Sequence, residues 1–252
     1  MNAALRIDLN CDAGESLGDD DAMFDVVTSA NIACGFHAGD ESTMESTVRS
    51  AVRHGVAVGA HPSYPDVQGF GRRTMRVSPA EAEAFVFEQI EVLRTIAKAN
   101  GSRVTHVKPH GALYNDAARD RSLADAIAAA VRRSGDLRLV GLAGSAFAEA
   151  ARSADVAFIA EGFCDRAYGE DGHLVSRSVA GSLITDPQAA ARQAVDIAVR
   201  GRVRSSSGNE IAVVAQTLCI HGDTPGAVDI ARAVRAALEG AGVRVARFEA
   251  AP

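Results

Sequence analysis

The chain has 252 residues, 47% of them hydrophobic and 23% charged, with a formal net charge of −6 and a pI near 5.6. That size suits a globular protein with a sizeable core, near the usual length of one α/β barrel. No basic stripe points to nucleic acid, no apolar run approaches the ~20 residues of a membrane helix, and no signal-peptide pattern precedes the first strand, so the expectation is a single cytoplasmic domain over 1–252.

The first predicted strand, 6–12 (RIDLNCD), spaces Asp8, Asn10 and Asp12 two apart and therefore on one face, with Glu15 just beyond. Strand 29–35 (SANIACG) leads to His37 and Asp40. Asp40 suits a ligand or the cap of a helix whose apolar face is Met44, Val48, Ala51 and Val52, with Gly55 ending it. Strand 55–62 (GVAVGAHP) ends at His61 and opens a long connection, 62–78, containing Asp66, Arg72 and Arg73. Ser78-Pro79-Ala80-Glu81 forms a capping box for a helix carrying Val86, Ile90, Leu93 and Ala97, and Gly101 follows its end. Strand 103–111 (RVTHVKPHG) sets His106, Lys108 and His110 on one face, with Tyr114 after it.

Strands 137–144 and 156–163 follow; the second carries Glu161. A second long connection, 162–185, holds Asp165, Arg166, Tyr168 and a tight turn at Glu170-Asp171-Gly172 that reads as a hairpin. Asp186-Pro187 and Thr224-Pro225 open two more helices, stopped by Gly201 and Gly240. Between them the run 212–223 (AVVAQTLCIHGD) ends in His221 and Asp223. A last run, 243–248 (VRVARF), is an eighth strand or a closing edge.

Strand–helix alternation with apolar strands predicts a parallel α/β sheet covered on both faces. GxGxxG after strand one and GxxxxGK[ST] are both absent. Seven or eight units in this length favour a TIM-like (β/α) barrel with seven or eight mostly parallel strands. Its strand ends would gather five of the seven histidines at one rim, where such enzymes keep their active sites.

Each residue also has a bland reading. A lone histidine is usually structural, Asp8 can simply tie down strand one, and His54 and His173 read as surface groups. The four cysteines form no CxxC and read as free buried thiols, although Cys219 can approach the pocket. Arg72 and Arg73 bind an anion or stay solvated. Convergence on one rim favours a catalytic mouth, with 62–78 and 162–185 as lids or partner-docking loops. If a divalent metal is present, Asp12, His37 and His61 are its expected ligands, which gives the alternative of a metal-dependent deacetylase or amidohydrolase acting alone on a small amide. A third reading is a subunit that only binds or senses a small acid.

The blocks IDLNCDAGES, SANIACGFHAGD, GVAVGAHPSYPD, HVKPHGALYN, DRAYGEDGHLVSRS and QTLCIHGD resemble the signature blocks of the LamB/YcsF family, the A subunits of prokaryotic ATP-dependent 5-oxoprolinase. The resemblance spans roughly 5–248. Cys11 stands where a small residue such as alanine is expected, and Cys164 is a second departure; neither removes an ionisable group. The resemblance implies a distorted barrel similar to the glycoside hydrolase/deacetylase barrel. It implies hydrolysis of the 5-oxo-L-proline lactam to L-glutamate coupled to ATP, and partner subunits B and C, with homo-oligomerisation left open. The expected catalytic residues are Asp12, His61, Lys108, His110 and His221, with Asp12 or His61 as base and His110 as a shuttle. Asn10, His37, Tyr114, Asp165, Arg166 and Asp223 are the expected substrate-binding residues. Lacking a nucleotide motif, the chain is expected to meet ATP, with its Mg, mainly through the partner subunits. A route through Lys108 and Arg166 is the competing view.

Overall fold

A computed structural model describes residues 5–248; residues 1–4 and 249–252 of the expected domain lie outside it. Seven strands close a parallel ring: β1 (Arg6–Ala13), β2 (Ser29–Ala33), β3 (Ala57–His61), β4 (Val104–Val107), β5 (Arg138–Leu142), β6 (Ala157–Phe163) and β9 (Thr217–Cys219). They pair in that order, and β9 returns to β1 through Asp8↔Thr217 and Asn10↔Cys219. A short antiparallel hairpin, β7 (Arg202–Arg204) and β8 (Glu210–Ala212), precedes β9. The run at 243–248 yields only β10 (Arg244–Val245), a two-residue parallel extension beside the start of β1 rather than an eighth stave.

Helices α1 (Asp20–Phe24), α2 (Glu41–His54), α3 (Pro79–Ala99), α4 (Gly111–Ala117), α5 (Arg121–Arg133), α6 (Ala146–Ser153), α7 (Pro187–Val195) and α8 (Ala227–Gly240) lie between the strands in sequence. Asp40 caps α2 by accepting from Thr43 N at 2.8 Å, and Ser78 and Glu81 form the reciprocal box at the start of α3. Asp186 caps α7 as expected. The start of α8 differs: Gly226 takes the cap position with φ 75°, because the Thr224 hydroxyl donates instead to Asp165 Oδ2 at 3.0 Å.

The run 212–223 is also not one strand. Its first residue belongs to β8, outside the barrel. The chain then crosses inward, with Val213 N donating to Gly201 O and Gln216 N to Ala160 O, and only Thr217–Cys219 joins the ring. At β4 the ladder ends with Val107, just before Pro109, which has no N–H to give. Lys108 and His110 still donate their backbone N–H to Ala60 and Pro62, so both residues stay fastened to β3 at the rim.

Alternation along the strands sorts the core. Ile7, Leu9 and Cys11 of β1 join the apolar cluster that holds Val48, Val86, Ile90, Leu93, Ile127, Val131, Ile230 and Val234 from the helices. The inner face is polar, whereas barrels of this type usually fill it with branched apolar residues. Asp8 accepts from Thr28, Ser29 and Thr217 at 2.7, 2.7 and 2.5 Å. One level up, Asn31 donates to Asn10 Oδ1 and Asp12 Oδ1, each at 2.9 Å, and accepts from His106 Nε2 at 3.0 Å. The His106 ring needs the space beside Gly59, where a Cβ would stand 2.1 Å from Nε2. His106 therefore fills the barrel interior rather than joining the rim.

Burial pushes the pKa of His106 from 6.5 down to about 3. Its folded value lies below its unfolded one, so the stability tied to the neutral ring is complete above pH 6.5 and is lost as pH falls toward 3. Urea titrations at stepped pH should show an acid-side decline to which His106 contributes about 1.4 kcal/mol per pH unit. His106→Asn should flatten that slope while lowering stability at neutral pH; an unchanged slope would contradict the assignment.

Candidate active site

A cavity of about 420 Å³ opens above the polar column, at the strand ends. Its floor is Lys108, only 2% exposed. The ammonium lies 2.9 Å from Asp12 Oδ1, 3.0 Å from Glu161 Oε1 and 3.1 Å from Cys219 Sγ. Burial alone would lower the lysine pKa, but Asp12, Cys219 and Glu161 outweigh it and hold the group well above its ordinary range. Burial likewise works to raise Asp12, yet His61 and Lys108 keep its carboxyl well below the usual range. Glu161 is further fixed by Asn10, which donates at 3.0 Å, and by the Tyr114 hydroxyl, which donates at 2.7 Å. Burial drives the Cys219 thiol well upward, which leaves it a poor nucleophile.

One wall carries Glu15, His61 and His110, with His37 behind them. Glu15 stays below the carboxylate range despite burial, because His110 and His37 lie within hydrogen-bond distance at 3.2 and 3.1 Å. Burial pushes His37 down to about 4, and its ring stacks on His110 with centroids 3.8 Å apart.

The opposite wall carries His221. Its Nδ1 faces both oxygens of the buried Asp165 at 3.0 Å, and its backbone N–H donates to the same carboxylate at 3.1 Å. Burial works to raise Asp165, but His221, through its ring and its backbone N–H, holds it low, with the Thr224 hydroxyl adding to the effect. Among the described residues Nε2 of His221 makes no hydrogen bond, and the ring stacks on Phe163. The cavity mouth is basic. Arg72 and Arg177 both pair with Asp223, Arg177 at 3.0 Å. Arg166 is different: it is 4% exposed, its Nη2 donates to Val175 O at 2.6 Å, and its buried Nε has no partner. No carboxylate among the described residues lies within ion-pair distance of it, and burial together with Arg177 lowers its pKa to about 10.

Asp12, His61, Lys108, His110, Tyr114, Arg166, His221 and Asp223 thus line one cavity. Asn10 lies below the floor, while His37 and Asp165 sit behind the lining groups. The trio Asp12, His37 and His61 does not converge as expected, since His37 turns Nε2 to Glu15 rather than to Asp12. Asp66 pairs with Arg73 away from the cavity. His173, expected on the surface, is partly buried and lines the cavity on the second long connection. That connection folds back through antiparallel bridges Arg166↔Leu183 and Tyr168↔Leu174 around Gly172, in keeping with the hairpin reading. Arg177 and Arg119 line the cavity without having been singled out, and Asn31 is the unforeseen hub beneath it. Arg177 carried one signal, its place inside the connection read as a lid; Asn31 carried another, its two-residue spacing from Ser29 on a strand.

The LamB/YcsF family model matches residues 7–252. A relative from Thermus thermophilus, named as the A subunit of 5-oxoprolinase, is 52% identical over 250 residues, covering 97% of this chain and 100% of the relative. Another of the same name, from Bordetella pertussis, is 51% identical over 251 residues and covers 97% and 99%. The crystal structure of a "Lactam Utilization Protein", also from Thermus thermophilus, superposes with a TM-score of 0.90 at 51% identity, covering 96% of this chain and all of that one. A family 4 carbohydrate esterase from Streptomyces lividans shares the fold at TM-score 0.54 and 12% identity, over 98% and 95% of the two chains.

Removing the floor cation should expose the cost of the buried carboxylates. Lys108→Met leaves Asp12 and Glu161 unpaired and should destabilise the chain by about 3–5 kcal/mol in denaturant unfolding. Adding Glu161→Gln should recover part of that loss, and a double variant no more stable than the single one would contradict the charge balance.

Proposed function

The chain belongs to the LamB/YcsF family, and we propose that it hydrolyses the lactam of 5-oxo-L-proline to L-glutamate, coupled to ATP, as the A subunit of an assembly with B and C subunits. The names of its relatives support a lactam-directed hydrolase and a multi-subunit enzyme. The observation that carries the reading is the unpaired, buried guanidinium of Arg166 in the same cavity as the Asp165-held His221. An unpaired buried cation calls for an anionic ligand, and 5-oxoproline brings a carboxylate.

The lactam is a resonance-stabilised amide whose hydrolysis is poorly driven near neutrality. In the proposed scheme its oxygen takes the γ-phosphoryl group of ATP, releasing ADP. The nitrogen loses its proton, and an imidate phosphate forms. Water then adds to the activated carbon. The C–N bond breaks as the nitrogen is protonated, and a second water hydrolyses the resulting acyl phosphate to glutamate and phosphate. His221 is the proton carrier: Asp165 fixes Nδ1, leaving Nε2 toward the cavity to take a proton from water and return it to the ring nitrogen. Arg166 holds carboxylate or phosphate charge, with Arg72 and Arg177 at the mouth. Asp12 is a weak candidate for the base, since Lys108 and Asn31 already hold it. Its role here is to fix the floor.

ATP, with Mg, is assigned mainly to the partner subunits, because the sequence has no phosphate-cradling loop. An ATP-consuming reaction belongs in the cytoplasm. No helix among the described residues is long and apolar enough to cross a membrane.

Glutamate release from 5-oxoproline, assayed with the chain plus B, C and ATP, tests the scheme. His221→Asn should lower kcat by roughly 10²–10⁴-fold. Arg166→Met should chiefly raise KM. Glutamate from the chain alone without ATP, or none from a verified assembly, would overturn the proposal; the second result favours an amidohydrolase acting alone on another small amide.

A further inference from the structure

The wall formed by Glu15, His61 and His110 is short of hydrogen-bond donors. His61 Nδ1 lies 2.7 Å from the Lys108 carbonyl oxygen, and His110 Nε2 lies 3.0 Å from that of Phe70. A carbonyl oxygen only accepts, so in each neutral ring the outer nitrogen carries the proton. With both rings neutral, the inner nitrogens, His61 Nε2 and His110 Nδ1, are lone pairs facing each other at 3.0 Å, and only an added proton or cation relieves that contact. Two more acceptors surround them. Glu15 Oε1 is 3.2 Å from His110 Nδ1 and 3.8 Å from His61 Nε2, and Asp12 Oδ2 is 3.4 Å from His61 Nε2. One proton shared between the imidazoles would satisfy only one of these approaches. A cation among the four atoms would satisfy all of them.

Charge and geometry agree. Asp12 and Glu161 are buried carboxylates sharing the single ammonium of Lys108, an excess of one negative charge at the floor, and the buried Glu15 on the adjoining wall faces only histidines among the described residues. Ligands around a tetrahedral ion with bonds of about 2.0–2.1 Å stand about 3.3 Å apart. The three contacts that link Glu15, His61 and His110 bracket that spacing, and Asp12 adjoins them through His61 Nε2 at 3.4 Å. The His61 and His110 planes cross at 84°, so a point on their line of intersection lies in both ring planes. His37 is instead parallel to His110 within 6°, and no ion can lie in both of those planes. His37 donates to Glu15 and positions it. Backbone carbonyls behind the outer nitrogens are the arrangement that orients metal-bound histidines.

We propose that Asp12, Glu15, His61 and His110 bind one first-row divalent transition cation of the Zn²⁺ class. Two imidazoles disfavour Mg²⁺ and Ca²⁺, and a set without thiolate disfavours Cu⁺. All four residues line the cavity, so the site is open to a ligand there. When bound, such an ion polarises an oxygen or lowers the pKa of a bound water. The inference stands apart from the 5-oxoproline reading, because ion binding is measured with no substrate present.

The full chain, stripped with a chelator and dialysed, would be titrated with Zn²⁺ alone by calorimetry, its reloaded metal content read by mass spectrometry. About one ion per chain is expected. His61→Asn and His110→Asn should each weaken binding by more than the roughly 10–100-fold that loss of an outer partner such as His37 costs. Should either variant fail to fold, Co²⁺ loaded into the wild-type chain supplies a second readout: visible absorption typical of low-coordinate nitrogen and oxygen ligation. A folded wild-type chain that takes up no stoichiometric ion, or folded variants that bind as tightly as the wild type, would overturn the site and leave a shared proton between the two imidazoles.

Discussion

The Lys108 ammonium, enclosed by Asp12, Glu161 and Cys219, is the constraint on which the rest of the barrel depends. A cation removed from water costs several kcal/mol unless close charges and hydrogen bonds replace its hydration. Two carboxylates supply that replacement, and each must then satisfy its remaining lone pairs. Glu161 draws in Asn10 and Tyr114, while Asp12 draws in Asn31. Asn31 in turn orients His106, and Asn10 donates to Thr217, which donates to Asp8. The polar column is the propagation of one buried charge through the inner faces of β1, β2, β4, β6 and β9.

This column explains how a mobile side chain becomes a fixed floor. Lys108 cannot serve a substrate anion without abandoning two carboxylates, so anion recognition falls to Arg166, whose guanidinium is buried and unpaired. The two walls separate by the same reasoning. His221 has a single carboxylate partner on one nitrogen and keeps the other free, which suits proton transfer. His61 and His110 spend their outer protons on carbonyls and turn lone pairs inward, which suits a cation.

Much of this was legible in the sequence because it follows from period and position. The two-residue spacing of Asp8, Asn10 and Asp12 put them on one inner face. Ser78 and Asp40 marked helix starts, whereas the run 103–111 read as one strand past Pro109 although β4 ends at Val107. The failures had local causes. Residues 212–223 read as one strand because apolar composition does not reveal that Val213 is held by Gly201 outside the barrel. Thr224 reads as a cap until Asp165, distant in sequence, claims its hydroxyl. His106 sits on the same strand face as Lys108, and only the gap at Gly59 shows that it lies inside the barrel rather than at the rim. Arg177 and His173 depend on how a long connection folds back, which no periodicity encodes.

The buried charge balance is tested most directly by titrating Lys108 itself, followed by NMR of its side-chain ammonium or ε-carbon in the full chain. The group should stay charged well beyond the ordinary lysine value of 10.5, and Asp12→Asn and Glu161→Gln should each bring its titration down. A Lys108 that loses its proton at or below that value, unmoved by either substitution, would contradict the charge balance from which the site has been built.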